Sequence, residues 1–355
     1  MENMSILQDP DAHLYAKLTS PRLDNRTPDR IVVVGVGRVG SQIAYLLAEN
    51  GLASEIVLVS STGNREKVEA EALDIQQANP LFKHPVHIRD GDYPDIAGAK
   101  GVIITSGIAG GANKDKTVGR IALAKPNVEI MREIAYDMKP YIKSRTTCKF
   151  IIVSNPVDVM TYAFIQYTGV PSTQVMGTGT MMETSRLTTI LATYLKVSPK
   201  DITAIALGEH GKSVMIPWSH ANVKGIFADK LLLDEQKKDI EEYVRSSASK
   251  IGAAKGYTSH AIATVTRELC EDMFKGVEGQ GRVRTVSVLN PRLNREDGFK
   301  DINACLSFPC RIGPAGIEEI YGIEHLNREE RHRFENSART VSDFTKGAME
   351  EYPPY

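Results

Sequence analysis

Two stretches of this chain place residue types that could do chemistry at spacings that let them cooperate. In MGTGTMMETSR, Met176 to Arg186, the carboxylate of Glu183 and the guanidinium of Arg186 stand three positions apart in an apolar, glycine-punctuated setting. On a helix that spacing puts both groups on one face, as an ordinary ion pair or as two parts of a reaction centre. In GVGRVG, Gly35 to Gly40, a G-x-G-x-x-G pattern directly follows the β-branched run Ile31–Val34 and opens the helical segment SQIAYLLAEN. Gly35 allows a tight turn, Gly37 lets a pyrophosphate approach the backbone, and Gly40 permits close helix packing. The helix N-terminus adds unpaired N–H groups and a partial positive charge. The pattern in this context predicts dinucleotide binding.

A dinucleotide fold that prefers NAD carries an acid at the end of the second strand, about 20 residues on, to accept hydrogen bonds from the adenosine ribose. Here that place reads LVSSTGNRE. Ser60 stands where the acid is expected, Ser61 and Thr62 add hydroxyls, and Arg65 is within reach of a ribose phosphate. Removing a carboxylate removes repulsion against that phosphate, so the loop favours NADP. The alternative is a polar loop that binds NAD through ribose contacts alone.

The elements that must position these groups alternate. EIVLV (Glu55–Val59), GVIIT (Gly101–Thr105) and KFIIV (Lys149–Val153) are apolar runs of buried-strand length, with amphipathic stretches such as KPNVEIMREIAYDM between some of them. Alternating strands and helices predict an α/β fold, a Rossmann-type doubly wound parallel sheet. After about Val157 longer helices and the strands RVRTVSVL and NACLSFPCRIG predict a second, α+β substrate domain. The reading divides the chain into an arm (1–29), a dinucleotide-binding domain (30–157), a substrate and catalytic domain (158–345) and a tail (346–355).

Composition narrows the partners. Lys and Arg total 43 against 44 Asp and Glu in 355 residues, a formal net charge of -1, which favours neither nucleic acid nor an anionic membrane. The longest apolar runs stop well short of the roughly 20 residues that span a bilayer. Cys148, Cys270, Cys305 and Cys310 are scattered without metal-ligand spacing, and no secretion signal precedes them, so a reduced, cytoplasmic protein is expected. The first 30 residues read as an arm, docked on another subunit.

Four further stretches join the glycine turn: VSNPVD (Val153–Asp158), GTGTMMETSR (Gly177–Arg186), GEHG (Gly208–Gly211) and KGYTSHAI (Lys255–Ile262). In this order and spacing they resemble the lactate/malate dehydrogenase family, from about Arg30 to about Val341, and GYTS resembles its lactate side. The resemblance implies that His210 donates the proton to a carbonyl oxygen, that Arg186 grips the substrate carboxylate, and that Asn155 and Thr258 line the substrate pocket. It aligns Arg120 with a loop arginine that polarises the carbonyl, although the loop IAGGANKDKTVGR is longer than usual. Lys114 falls near the family's specificity position and, with Lys116 and Lys212, points to a second anionic group on the substrate. Arg38 and Val39 of the turn, Thr105, Ser106 and Gly107 of the TSG stretch, and Asn155 are further expected cofactor contacts. Relatives form dimers or tetramers, which implies a homo-oligomer here, a tetramer first.

One departure stands out: the family carries an aspartate where this chain has Glu183, a carboxylate that orients the histidine and stabilises its charged form. A misfit of about 1 Å there would be costly in catalysis. The expected activity is reversible conversion of a small 2-oxo acid to a 2-hydroxy acid with NADPH, the simpler alternative being a lactate- or malate-type enzyme using NAD. A metal-dependent NAD glycosidase is disfavoured because Ser154 rather than a cysteine precedes Asn155. A non-catalytic nucleotide-binding descendant would be expected to have lost one of His210, Arg186 and Arg120.

Overall fold

A computed structural model of the chain describes residues 29–108, 120–143, 146–277 and 280–354. Six strands form the parallel part of one sheet: β1 (Arg30–Val34), β2 (Glu55–Val59), β3 (His87–Gly91), β4 (Gly101–Ile104), β5 (Lys149–Ile152) and β6 (Val175–Gly177). They lie in the order β3-β2-β1-β4-β5-β6, every neighbouring pair parallel. Ile31 to Val34 of β1 are fully buried, as a strand covered on both faces requires.

Helices cover both faces. α1 (Gly40–Glu49) and α2 (Arg65–Ala78) follow β1 and β2; α3 (Arg120–Met138) and α4 (Val157–Thr168) follow β4 and β5. Alternate residues of β1 therefore enter two different apolar layers. Ile31 and Val33 join a cluster with Ile43 and Leu47 of α1, whereas Val32 and Val34 join one with Val128 of α3 and Phe164 of α4. This is the expected doubly wound sheet.

The second half continues through α5 (Met181–Leu195), a small sheet of β7 (Ile202–Thr203), β8 (Asn222–Val223) and β9 (Ile226–Phe227), α6 (Asp234–Lys255) and α7 (His260–Phe274). β10 (Arg282–Val288), β11 (Leu306–Gly313) and β12 (Gly316–Ile320) then extend the large sheet as antiparallel strands beyond β6. The two strands read as part of a separate domain thus share a sheet with the first, because β10 pairs with the edge of β6 at Ser287 and Gly177. α8 (Arg328–Met349) closes the chain behind a capping box at Asn327 and Glu330, and its apolar face of Phe334, Ala338 and Val341 is buried.

Candidate active site

At the C-terminal end of β1 the chain turns at Gly35, whose φ of +93° suits glycine, and its N–H donates to the Val59 carbonyl at 2.9 Å. A Cβ at Gly35 would lie 2.4 Å from the Ser106 hydroxyl, and one at Gly40 would lie 1.9 Å from the Gly35 carbonyl oxygen. At Gly37, by contrast, no described atom lies within 4 Å of such a Cβ. Gly35 and Gly40 therefore serve the fold, while Gly37 leaves a bare backbone face. The N-cap residue of α1, Val39, makes no side-chain cap, and the Ser41 N–H donates back to the Gly37 carbonyl at 2.9 Å, so the turn and the start of the helix form one unit. The cradle fits a dinucleotide pyrophosphate.

The ends of neighbouring strands converge on the turn. The Thr105 hydroxyl donates to the Gly35 carbonyl at 2.5 Å, and the Ser154 hydroxyl donates to the Ser106 carbonyl. Gly107 follows, exposed, and Val39 is half-buried against the core. Arg38 stacks over the Tyr257 ring at 4.2 Å, which brings the turn next to the exposed Thr258.

At the end of β2, Ser60 and Ser61 are half-buried, Thr62 is exposed, and the Thr62 N–H donates to the Ser60 hydroxyl. Arg65 differs from the expectation of a side chain waiting for a phosphate. It pairs with Glu69 and with Asp90, each at 3.2 Å, and the charge of Asp90 pushes the guanidinium above its ordinary value. Asp90 lies on β3, across β2 from the glycine turn, so Arg65 is drawn away from the cradle. No local pattern signals this partner; only the register of Leu58 with Asp90 brings it there.

Glu183 lies in the first turn of α5 and is 3% exposed. Its Oε1 accepts from an Arg186 N–H at 2.7 Å and its Oε2 accepts from His210 Nδ1 at 2.8 Å. The ion pair and the histidine contact thus coexist on one carboxylate. Burial alone would push Glu183 up, but His210 and then Arg186 outweigh it and hold the carboxyl below its ordinary value. Burial likewise pushes the imidazole down, and Glu183, with Asp158, reverses this and leaves His210 above its ordinary value. An ionised carboxylate only accepts, so Nδ1 carries hydrogen and Nε2 is the nitrogen left to exchange a proton.

Long-range bonds hold the segment bearing His210. Gly208 and Ser307 exchange backbone hydrogen bonds at 3.0 and 2.9 Å, the Glu209 N–H donates to the Ser337 hydroxyl of α8, and the His210 N–H donates to Asp158 at 2.8 Å. Asn155 lies in the turn between β5 and α4, its side-chain oxygen accepting from the Val157 N–H. Asn127 of α3, 6% exposed, donates to the Asn155 carbonyl and bonds both backbone groups of Ile108. Sequence reasoning missed Asn127, Asp90 and the role of Asp158, because none lies near its partner in the chain. Lys114, Lys116 and the side chain of Arg120 lie outside the described residues; Lys212 is exposed.

The assembled groups can bind an anion at Arg186 and deliver a proton from an adjacent imidazole, with a nucleotide cradle at the same sheet end. Among the described residues no group of three or more His, Cys, Asp or Glu could hold a metal ion, and all four cysteines are buried and free.

Comparison with known proteins finds relatives for both halves of the chain. Residues 29–177 match the lactate/malate dehydrogenase NAD binding domain and residues 180–351 the alpha/beta C-terminal domain of the same family. The L-lactate dehydrogenase of Acetivibrio thermocellus is 36% identical over 330 residues, covering 91% of this chain and 98% of that protein. An L-lactate dehydrogenase of Clostridium botulinum (strain Langeland) is 32% identical over 335 residues, covering 92% and 99%. Among solved structures, MGS-M5, a lactate dehydrogenase enzyme from a Medee basin deep-sea metagenome library, superposes with a TM-score of 0.80 at 27% identity over 91% of this chain and 99% of that one. The minor L-lactate dehydrogenase of Enterococcus mundtii, in a ligand-bound form, gives 0.80 at 28% identity over 90% and 98%. Matched in both halves and across nearly the full length of these relatives, the chain belongs to the lactate/malate dehydrogenase family, on its lactate side.

Proposed function

We propose that this protein is a nicotinamide-dependent dehydrogenase that interconverts a small 2-oxo acid and the matching 2-hydroxy acid. The observation that carries the reading is the single buried carboxylate of Glu183 shared by His210 and Arg186, at 2.8 and 2.7 Å. Gly37 and the helix N-terminus behind it hold the pyrophosphate, with Gly35 and Gly40 shaping the turn and Thr105, Ser106, Gly107 and Asn155 bordering the rest of the cofactor. When bound, the reduced nicotinamide supplies a hydride to the substrate carbonyl carbon.

The chain's own residues do the remainder. Arg186 holds the substrate carboxylate with the part of its guanidinium that Glu183 does not take. Nε2 of charged His210 gives its proton to the carbonyl oxygen as negative charge develops there, and Arg120 polarises that oxygen. Glu183 orients the imidazole and keeps it charged until the transfer. Asn155 and Thr258 border the reacting carbonyl. Residues 30–157 then serve the cofactor and residues 158–345 supply the substrate and proton groups.

For the cofactor we place NAD first. The expected preference for NADP needs Arg65 at a ribose phosphate, and two carboxylates already engage it. Lys114, Lys116 and Lys212 support a substrate with a second anionic group. We read the protein as a cytoplasmic homo-oligomer, a tetramer or dimer. Exposed Ile226, Phe227 and Leu233 support the assembly, and among the described residues no helix is long and apolar enough to cross a membrane.

The test is turnover by the purified protein with NADH and NADPH across a panel of 2-oxo acids, from pyruvate to dicarboxylates and phosphono- or sulfo-substituted acids. The reading fails if nucleotide binds normally and no member of the panel is reduced. His210→Asn should abolish turnover while leaving nucleotide affinity largely intact.

A further inference from the structure

Asp158 is a buried ionisable group that the proton transfer above does not use. We propose that it is a positioning residue for His210, a second carboxylate that fixes the histidine's main chain and biases the imidazole toward its charged form. The proposal rests on His210 being the proton donor.

Asp158 stands in the first turn of α4 and is 3% exposed. Its Oδ2 accepts from the His210 N–H at 2.8 Å and its Oδ1 accepts from the Ser287 hydroxyl at 2.6 Å. One side chain thereby ties together α4, β10 and the loop that carries the histidine. A buried carboxylate is costly to keep unless its oxygens are hydrogen-bonded, and both are.

The charge argument follows from how Glu183 is shared. Because Arg186 and His210 hold the same carboxylate, Arg186 offsets part of the negative charge that Glu183 presents to the imidazole. Arg186 itself disfavours the charged histidine, and Asp158 favours it. Asp158 thus supplies negative charge that Arg186 does not cancel. The other ionisable groups facing it are Glu209, next to His210, which works against its ionisation, and the Cys305 thiol, which burial and then Asp158 push well up so that it stays neutral. Burial pushes Asp158 up to about 6, with Ser287 and His210 opposing, so the carboxylate is mostly ionised at neutral pH.

Asp158→Asn separates charge from geometry. The amide oxygen can still accept from the His210 N–H while the amide N–H donates to Ser287, so the shape persists and the charge is lost. Asp158→Ala removes the acceptor as well. Two measurements decide: the pH dependence of kcat for 2-oxo acid reduction at saturating substrates, and the titration of the His210 ring by NMR in the enzyme without ligands, its signal assigned with His210→Asn.

In Asp158→Asn both titrations should move to lower pH, and the kcat deficit should grow by about threefold or more between pH 6 and 9. Its low-pH plateau should stay near native. Asp158→Ala should lower that plateau too, by about tenfold, because it leaves the buried His210 N–H without its acceptor. A His210 titration in Asp158→Asn that superimposes on the native one would overturn the proposal, as would an undiminished plateau in Asp158→Ala. If the native protein reduces no 2-oxo acid, the reading of the reaction fails, and the NMR titration still decides whether Asp158 governs His210.

Discussion

Replacing Glu183 by glutamine tests the centre of the site. The carboxylate is 3% exposed and accepts two hydrogen bonds, from Arg186 at 2.7 Å and from His210 at 2.8 Å. A glutamine amide has one acceptor oxygen and one donor nitrogen, so it satisfies only one partner and turns an N–H toward the other. If the oxygen keeps Arg186, the amide nitrogen confronts Nδ1 and the imidazole must surrender its Nδ1 hydrogen. If it keeps His210, the Arg186 guanidinium loses its buried counter-charge. Breaking a buried ion pair by removing one partner costs about 3–5 kcal/mol. At about 1.36 kcal/mol per tenfold, that corresponds to a roughly 10²- to 10⁴-fold fall in kcat if the contact is needed in the transition state.

The sign of the pH effect follows from the shifts. Reduction needs protonated His210, whose pKa lies above its ordinary value while Glu183 is ionised, so native activity persists above the ordinary imidazole range and falls as pH rises through the raised value. In Glu183→Gln that fall should come at lower pH. The assay is steady-state reduction of the best 2-oxo acid across pH, with nucleotide affinity measured alongside as a control on folding. A Glu183→Gln protein within about threefold of native kcat, with the same alkaline limb, would sink the argument that this carboxylate serves the histidine.

Further outcomes can be checked with simpler measurements. Folding stability should carry the same signature: the raised His210 contributes fully below its ordinary value of 6.5 and is lost as pH rises through its folded value. The lowered Glu183 contributes fully above 4.5 and is lost as pH falls through its own folded value. The native advantage in Tm over Glu183→Gln should therefore be greatest between pH 4.5 and 6.5. Asp90→Asn should remove one of the two carboxylates that hold Arg65, leaving Glu69, and raise NADPH use relative to NADH by up to about fivefold, since exposed ion pairs are worth up to about 1 kcal/mol; an unchanged ratio of kcat/KM values would reject Asp90 as a cofactor determinant. Phe334 is fully buried against Phe299 and Phe308, so Phe334→Ala should cost about 3–5 kcal/mol in denaturant unfolding. Lys114→Gln should weaken a substrate with a second anionic group much more than pyruvate; equal effects would remove the lysine from substrate selection.

The parts of the protein legible in its sequence are those whose physics is local. The glycine turn could be read because its constraints lie within six residues: a positive φ at Gly35, a bare backbone at Gly37 and a close approach at Gly40. The β-branched runs announced buried strands because a strand covered on both faces must be apolar throughout. Glu183 and Arg186 could be paired because three residues is a helical neighbour distance. The family resemblance added His210, and the structure joins it to the same carboxylate despite the longer glutamate side chain.

Tertiary structure decided what depends on strand register and on contacts between distant segments. Arg65 looks ready for a phosphate in the sequence, but Asp90 arrives beside it only through the alignment of β3 with β2. Asp158 and His210 are 52 residues apart, and no periodicity relates them; α4 and the loop after β7 meet because β10 closes the edge of β6. The pairing of β10 to β6 also joins strands of the two halves in one nine-stranded sheet, which the change of pattern near Val157 did not announce. Local sequence set the turns, strands and helices, and the packing of distant segments set which charges meet, because charge pairing depends on distances of a few ångströms in space and not on separation along the chain.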